Sequence, residues 1–430
     1  MANSSPAPKR SLQSKDIFFM VVAAAAPLAA VVGNGALGTL LGNGAGMPGA
    51  YLIAGAVLIL FALGFVKMSP YVKGGGAFYA YIRHGLGGRA GGAAAYVALL
   101  VYVVMVVGSV AGTGFFCNIF LLEAFNIDVS WKLIAAICLL VTALVGYREI
   151  SLGARLLSIM LSLEVLILLV LSFAVLSPGS GAPVSFTSFA PATIFSGNFG
   201  VAIMFAFVSF LGFESAAIYS EEAQDGSRTV TRALISAVLF IAVFYALSMW
   251  SVINAFGADQ VQAAAAENPG TLVYRAFALY TPAPFVLMAE ALMVTSALAA
   301  TIALHNAAAR YVYALSREGM LPAKFGALHD KLSSPHVASL TVTVVTALLV
   351  AGFIIGNADP LMTVLSSTFG LAALGIALLQ AATSASVMVF VLRQPEGAAG
   401  RAKDILIAVI ATLCLAAIAL LIVLNYSVLA

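Results

Sequence analysis

The chain has 430 residues, of which 62% are hydrophobic and 9% charged, with a net charge of +3 and a mean hydropathy of +1.08. A soluble domain is about half apolar and a quarter charged, so this composition excludes an ordinary soluble fold, and the small net charge excludes a nucleic-acid binder. What remains is an all-α polytopic membrane protein, because only helices that satisfy their own backbone can cross hydrocarbon in so apolar a chain.

Residues 1–16, MANSSPAPKRSLQSKD, are polar and form an N-terminal tail. The apolar stretch behind them is too long for a signal-peptide core and is followed by no polar cleavage region, so it reads as a retained first span. Apolar runs of bilayer length then fall at about 17–42, 48–68, 90–122, 132–147, 153–176, 197–219, 232–256, 283–313, 336–356, 360–392 and 404–428. The run at 132–147 is short. With the N-terminus in the cytoplasm, 18 of the 20 Lys and Arg residues fall in inside segments, and only Lys132 and Arg275 lie outside. That asymmetry is the positive-inside bias, and a miscounted span in the middle would scramble it. It places the chain as a multi-pass protein of the cytoplasmic membrane.

Two spans are irregular. The first contains AAAAPLAAVVGNGALGTLLG, with Pro27 followed by Gly33, Asn34, Gly35 and Gly38; the sixth contains FGVAIMFAFVSFLGFESAA, with Gly200, Gly212 and an acid, Glu214. Gly costs about 1 kcal/mol and Pro about 3 kcal/mol relative to Ala in a helix. Unwound backbone survives in a membrane only where it lines a cavity or packs in protein. Interrupted spans five apart point to a five-plus-five inverted repeat, 17–176 and 197–392, with a central site at the breaks and 404–428 as an eleventh helix. Tight packing of glycines between helices is the plainer alternative.

Four stretches resemble the amino acid–polyamine–organocation transporter superfamily: the Gly-rich first span, GGGAFYAYIRHGLG (74–87), FVSFLGFESAA with EEAQDGSRTVTRA (207–233), and HNAAARYVYALSREGMLPAKF (305–325). The resemblance implies a secondary active carrier working by alternating access, with an amino acid as substrate or, as the runner-up, a polyamine. It implies a proton or sodium gradient, or exchange, as the driving force, and no cofactor. Twelve spans are usual in that superfamily, so eleven is a departure. The resemblance places a substrate carboxylate on amides at Gly33, Asn34 and Gly35, with Val32 just before. It places the amino group on carbonyls of Val208, Ser209 and Leu211 before Gly212, with Phe207 and Phe210 as walls or gates. Ser109 and Gly112 on the third span would either leave room for a side chain or pack helices. Thr295 and Ser296 resemble a sodium-binding hydroxyl pair, although such hydroxyls also bond back to their own helix.

Glu214 has two compatible roles, proton coupling or bracing of the first-span break, since a carboxylate within the membrane is costly and marks function. Glu164 and Glu290 are intramembrane too, and the fifth span carries no lysine beyond its cytoplasmic end. The acidic-then-basic run Glu221, Glu222, Asp225, Arg228, Arg232 is a solvated loop or a gate against Arg83 or Arg310. Cys117, Cys138 and Cys414 lie in apolar segments without metal-ligand spacing, and neither HExxH nor GxSxG occurs. An embedded enzyme, a channel or a transporter-like sensor is therefore the weaker reading.

Overall fold

A computed structural model describes residues 13–72, 78–148, 154–213, 224, 227–330, 334–394 and 400–429. Among these, nine helices are long and apolar enough to cross a membrane. The first of the nine, Pro27–Tyr71, is a hairpin: Gly42 (φ −105°, ψ −117°) and Gly44 (φ +56°) turn the chain back on itself. The hairpin arms touch in antiparallel register, a Cβ at Gly38 falling on Met47 and one at Gly35 reaching Tyr51. The expected run at 132–147 is a full helix, Trp131–Arg148. The expected run at 197–219 holds only a ten-residue helix, Phe199–Val208, among the described residues.

In chain order the helices are α1 (Ser14–Ala24), α2 (27–43), α3 (Met47–Met68), α4 (Phe78–Leu86), α5 (Gly88–Phe125), α6 (Trp131–Arg148), α7 (Ala154–Leu176) and α8 (Phe199–Val208). Then come α9 (Ser227–Phe256), α10 (Val261–Glu267), α11 (Leu272–Tyr280), α12 (Ala283–Arg317), α13 (His336–Ile355), α14 (Pro360–Leu392) and α15 (Arg401–Asn425). Local chemistry sets several ends. Asn198 caps α8 by accepting from the Val201 amide at 3.3 Å, and Asp359 caps α14 through the Leu361 and Met362 amides at 2.9 and 2.6 Å, with Pro360 in the first turn.

The bundle is built around α2 and α8. Every residue of Gly200–Val208 is buried, as is every residue of 30–39. Around them, α5 packs along α12 and α14, and α9 packs along α3, α1 and α7. At 38 residues, α5 is about 57 Å long, well beyond a hydrocarbon core of about 30 Å, so it runs tilted or projects. The outer helices turn apolar side chains outward, among them Leu140 and Leu144 on α6, Phe173 on α7, Leu348 on α13 and Leu413 on α15. Such a surface suits lipid and would aggregate in water.

Hydrogen bonds sort the helix ends into two sets. At one end, which carries most of the basic residues, Lys67 meets Asp404 at 3.2 Å and Arg83 meets Glu318 at 3.0 Å. Tyr79 donates to the same Glu318 at 3.1 Å. Burial, reinforced by that carboxylate, pushes the Tyr79 hydroxyl up to about 12, so it stays a donor near neutrality. At the other end, Asn43 donates to the Ile194 carbonyl at 2.8 Å, Gln262 to the Leu40 carbonyl at 3.0 Å, and Arg275 pairs with Glu267.

Candidate functional site

The first span is broken, but eight residues earlier than the Gly33–Gly35 motif suggests. Helix α1 ends at Ala24, Ala26 takes a left-handed conformation (φ 45°, ψ 70°), and Pro27 starts α2. Two rules of proline act together here: it has no N–H to donate back to α1, and it drives the preceding residue out of the α region. Gly33, Asn34 and Gly35 are wound instead as a π-type turn, with Gly35 at φ −63°, ψ −44°. Val32 is a core residue, 1% exposed. The glycines serve close packing, since a Cβ would stand 2.5 Å from the Met249 sulfur at Gly35 and 2.8 Å from the Ala202 nitrogen at Gly42. Gly33 differs: it is buried, yet a Cβ there would meet nothing within 4 Å. Ala29, one turn earlier on that face, is only half-buried, so this stripe borders open space.

The sixth-span break lies where the sequence places it. Helix α8 stops at Val208, Ser209–Gly212 form turns, and Gly212 has φ +102°. Its backbone needs glycine twice over, because a Cβ would also stand 2.9 Å from the Ala24 Cβ. The two breaks therefore touch. Phe207 and Val208 are buried in the last turn of α8, and their carbonyls accept from the Phe210 and Leu211 amides. That leaves the Ser209 and Leu211 carbonyls as acceptors without a partner among the described residues. Phe210 packs against Tyr245, with ring centroids 5.9 Å apart and planes tilted by 58°.

Side chains from four spans hold this geometry. Asn34 donates to the Ser209 hydroxyl at 3.0 Å. Tyr51 on α3 donates to the Ala30 carbonyl at 3.2 Å and sits 3.4 Å from the Ser209 hydroxyl. Tyr245 on α9 donates to the Ala25 carbonyl, inside the break, at 2.9 Å. Glu164 on α7 accepts from the Leu28 amide at 3.2 Å, with the Ser296 hydroxyl beside its carboxylate. Pro27 has no amide hydrogen and the Ala30 amide returns to the Ala26 carbonyl. The Ala29 amide is then the remaining first-turn donor of α2 among the described residues. One break thus offers a helix N-terminus and an amide, and the other offers a helix C-terminus and carbonyls.

Other expected residues fall elsewhere. Gly112 packs on Leu365 of α14, where a Cβ would lie 2.6 Å from its Cδ1, so it is a helix-packing residue; Ser109 is buried one turn before it. Thr295 and Ser296 do not face one site: Thr295 is exposed and bonds the Leu292 carbonyl at 2.9 Å, while Ser296 is buried beside Glu164. Glu214, Glu221, Glu222 and Asp225 lie outside the described residues, and Arg83 pairs with Glu318. Tyr51, Tyr245 and the role of Glu164 are invisible to a motif search. The available signal was a polar atom within each apolar run, which must find a partner once buried.

A family model described as amino acid permease matches residues 12–428. The branched-chain amino acid permease BcaP of Lactococcus lactis is 23% identical over 72% of this chain and 69% of its own length. A methylthioribose transporter of Bacillus subtilis is 24% identical over 75% of this chain and 72% of its own length. An uncharacterised transporter of Mycobacterium tuberculosis is 31% identical, over 34% of this chain and 32% of its own length.

Proposed function

Given that this chain belongs to the amino acid permease family, we propose that it carries a zwitterionic amino acid across the cytoplasmic membrane by alternating access. In this reading 17–176 and 197–392 are inverted five-helix repeats, the N-terminus is cytoplasmic, and a proton or sodium gradient, or exchange, drives the cycle. The observation that carries the reading is the contact between the two breaks. A substrate carboxylate finds the Ala29 amide at the positive end of α2, and an ammonium group finds the Ser209 and Leu211 carbonyls at the negative end of α8. An amino acid carries both charges a few ångström apart, and the two breaks that would answer them meet at Gly212 and Ala24. The small stripe of Ala29 and Gly33 leaves space for an apolar side chain, in keeping with the branched-chain permeases among its relatives.

The methylthioribose transporter supplies a second reading, a neutral thiosugar. Such a substrate has neither carboxylate nor ammonium and would leave both helix ends unanswered, so the amino acid is favoured. The test is uptake into proteoliposomes of radiolabelled leucine, isoleucine, valine, putrescine and methylthioribose, with imposed proton or sodium gradients. Leucine uptake that is competed by valine and not by putrescine or methylthioribose supports the proposal. Uptake of putrescine or methylthioribose without competition by amino acids overturns it.

A further inference from the structure

The proposed mechanism needs free amides at the start of α2, yet one of them, Leu28, is already held by an acid. Glu164 is 5% exposed and lies in the middle of α7. Its carboxylate joins three elements: α7, the first turn of α2 through the Leu28 amide at 3.2 Å, and α12 through Ser296. Helix α2 is no isolated turn, since it runs on without interruption to the hairpin bend at Gly42. Among the described residues no lysine, arginine or histidine faces the carboxylate. Of the titratable groups on neighbouring helices, Tyr245 of α9 is in electrostatic range, and its hydroxyl is committed to the Ala25 carbonyl. Lys15 and Asp16 of α1 lie in the first turn, at the basic end. Glu290 of α12 belongs to a separate group with Tyr274 of α11 and Glu123 of α5.

We propose that Glu164 is the proton-binding group of this carrier, and that its proton and the substrate carboxylate bind cooperatively at the start of α2. The inference rests on the amino acid reading above. When Glu164 is ionised, it is the anion that answers the positive end of α2. A substrate carboxylate arriving at Ala29 then meets a like charge in a low-dielectric site. One proton taken from solution onto a carboxylate oxygen of Glu164 cancels that charge. The other oxygen still accepts from the Leu28 amide, so the break stays braced. Proton and substrate then raise each other's affinity by the same factor, in the range of about 5–150-fold typical of coupled sites. Such linkage makes the cycle a proton symport.

The test uses the reconstituted full chain, leucine as the probe, and Glu164→Gln, whose amide oxygen still accepts from Leu28. Two readouts separate the claims: leucine counterflow, which needs only a working carrier, and accumulation under an inward proton gradient. The parent is expected to accumulate leucine about tenfold per pH unit for each coupled proton. E164Q is expected to lose accumulation under the gradient, with leucine affinity no longer rising as pH falls, whatever counterflow rate it retains. E164Q that still accumulates leucine with the gradient overturns the proposal. So does a parent driven only by sodium. Absence of leucine counterflow in the parent defeats the amino acid reading itself, and the inference with it. Should E164Q lose counterflow as well, Ser296→Ala decides: it removes one hydroxyl from the carboxylate, and a pH midpoint of leucine binding that does not move overturns the role.

Discussion

Residues 24–28 hold no glycine and are broken, whereas residues 33–38 hold three glycines and stay helical. The first stretch is broken because Pro27 withdraws a donor and three side chains from other spans, Tyr245, Tyr51 and Glu164, satisfy the carbonyls and amide left behind. The second stays wound because Gly35 packs on Met249 and Gly38 on Met47, so neighbouring helices compensate the weak local propensity. A break in a membrane helix is thus a property of the partners around it more than of the flexibility within it.

Substitutions can sharpen that contrast, beginning with the strongest. Gly212→Ala puts a Cβ against Ala24 at a positive φ, adding about 1–2 kcal/mol of backbone cost to the clash. Leucine transport should fall more than about tenfold, and retention of parental uptake would show that the breaks do not need to touch. Gly42→Ala drives a Cβ onto the Ala202 backbone, and should lower stability by about 1–3 kcal/mol, read as an earlier thermal unfolding midpoint in detergent. Tyr245→Phe removes one hydrogen bond from the first break. A loss of about 1 kcal/mol is expected, with transport impaired more than stability; an unchanged protein would mean that Ala25 needs no partner. Ala26→Gly should be the mildest, shifting stability by no more than about 1 kcal/mol, because a left-handed residue is exchanged for one that accepts that conformation.

Much of the fold could be read from hydropathy alone, since long apolar runs declare themselves whatever packs beside them. The sixth-span break was also legible, because Gly212 must adopt a backbone that other residues resist. The first-span break centres on Ala26, about eight residues before the Gly33–Gly35 stretch on which the resemblance places the substrate carboxylate. The rule that a residue before proline leaves the α region points to Ala26 directly. Of the two readings of Thr295 and Ser296, back-bonding to the helix holds for Thr295, which donates to the Leu292 carbonyl, and adjacent helix residues point about 100° apart, so the pair does not converge on one ion. The partners Tyr51, Tyr245 and Glu164 are separated from the break by 21 to 220 residues along the chain. No local pattern encodes which of several intramembrane polar atoms meets which carbonyl.

The most direct test is an experimental map of the protein in lipid with leucine bound. Ligand density is expected between residues 25–29 and residues 209–212, its carboxylate toward the Ala29 amide and its ammonium toward the Ser209 and Leu211 carbonyls. A helix running unbroken through residues 24–28, or leucine held instead on the backbone of Gly33–Gly35, would contradict the account.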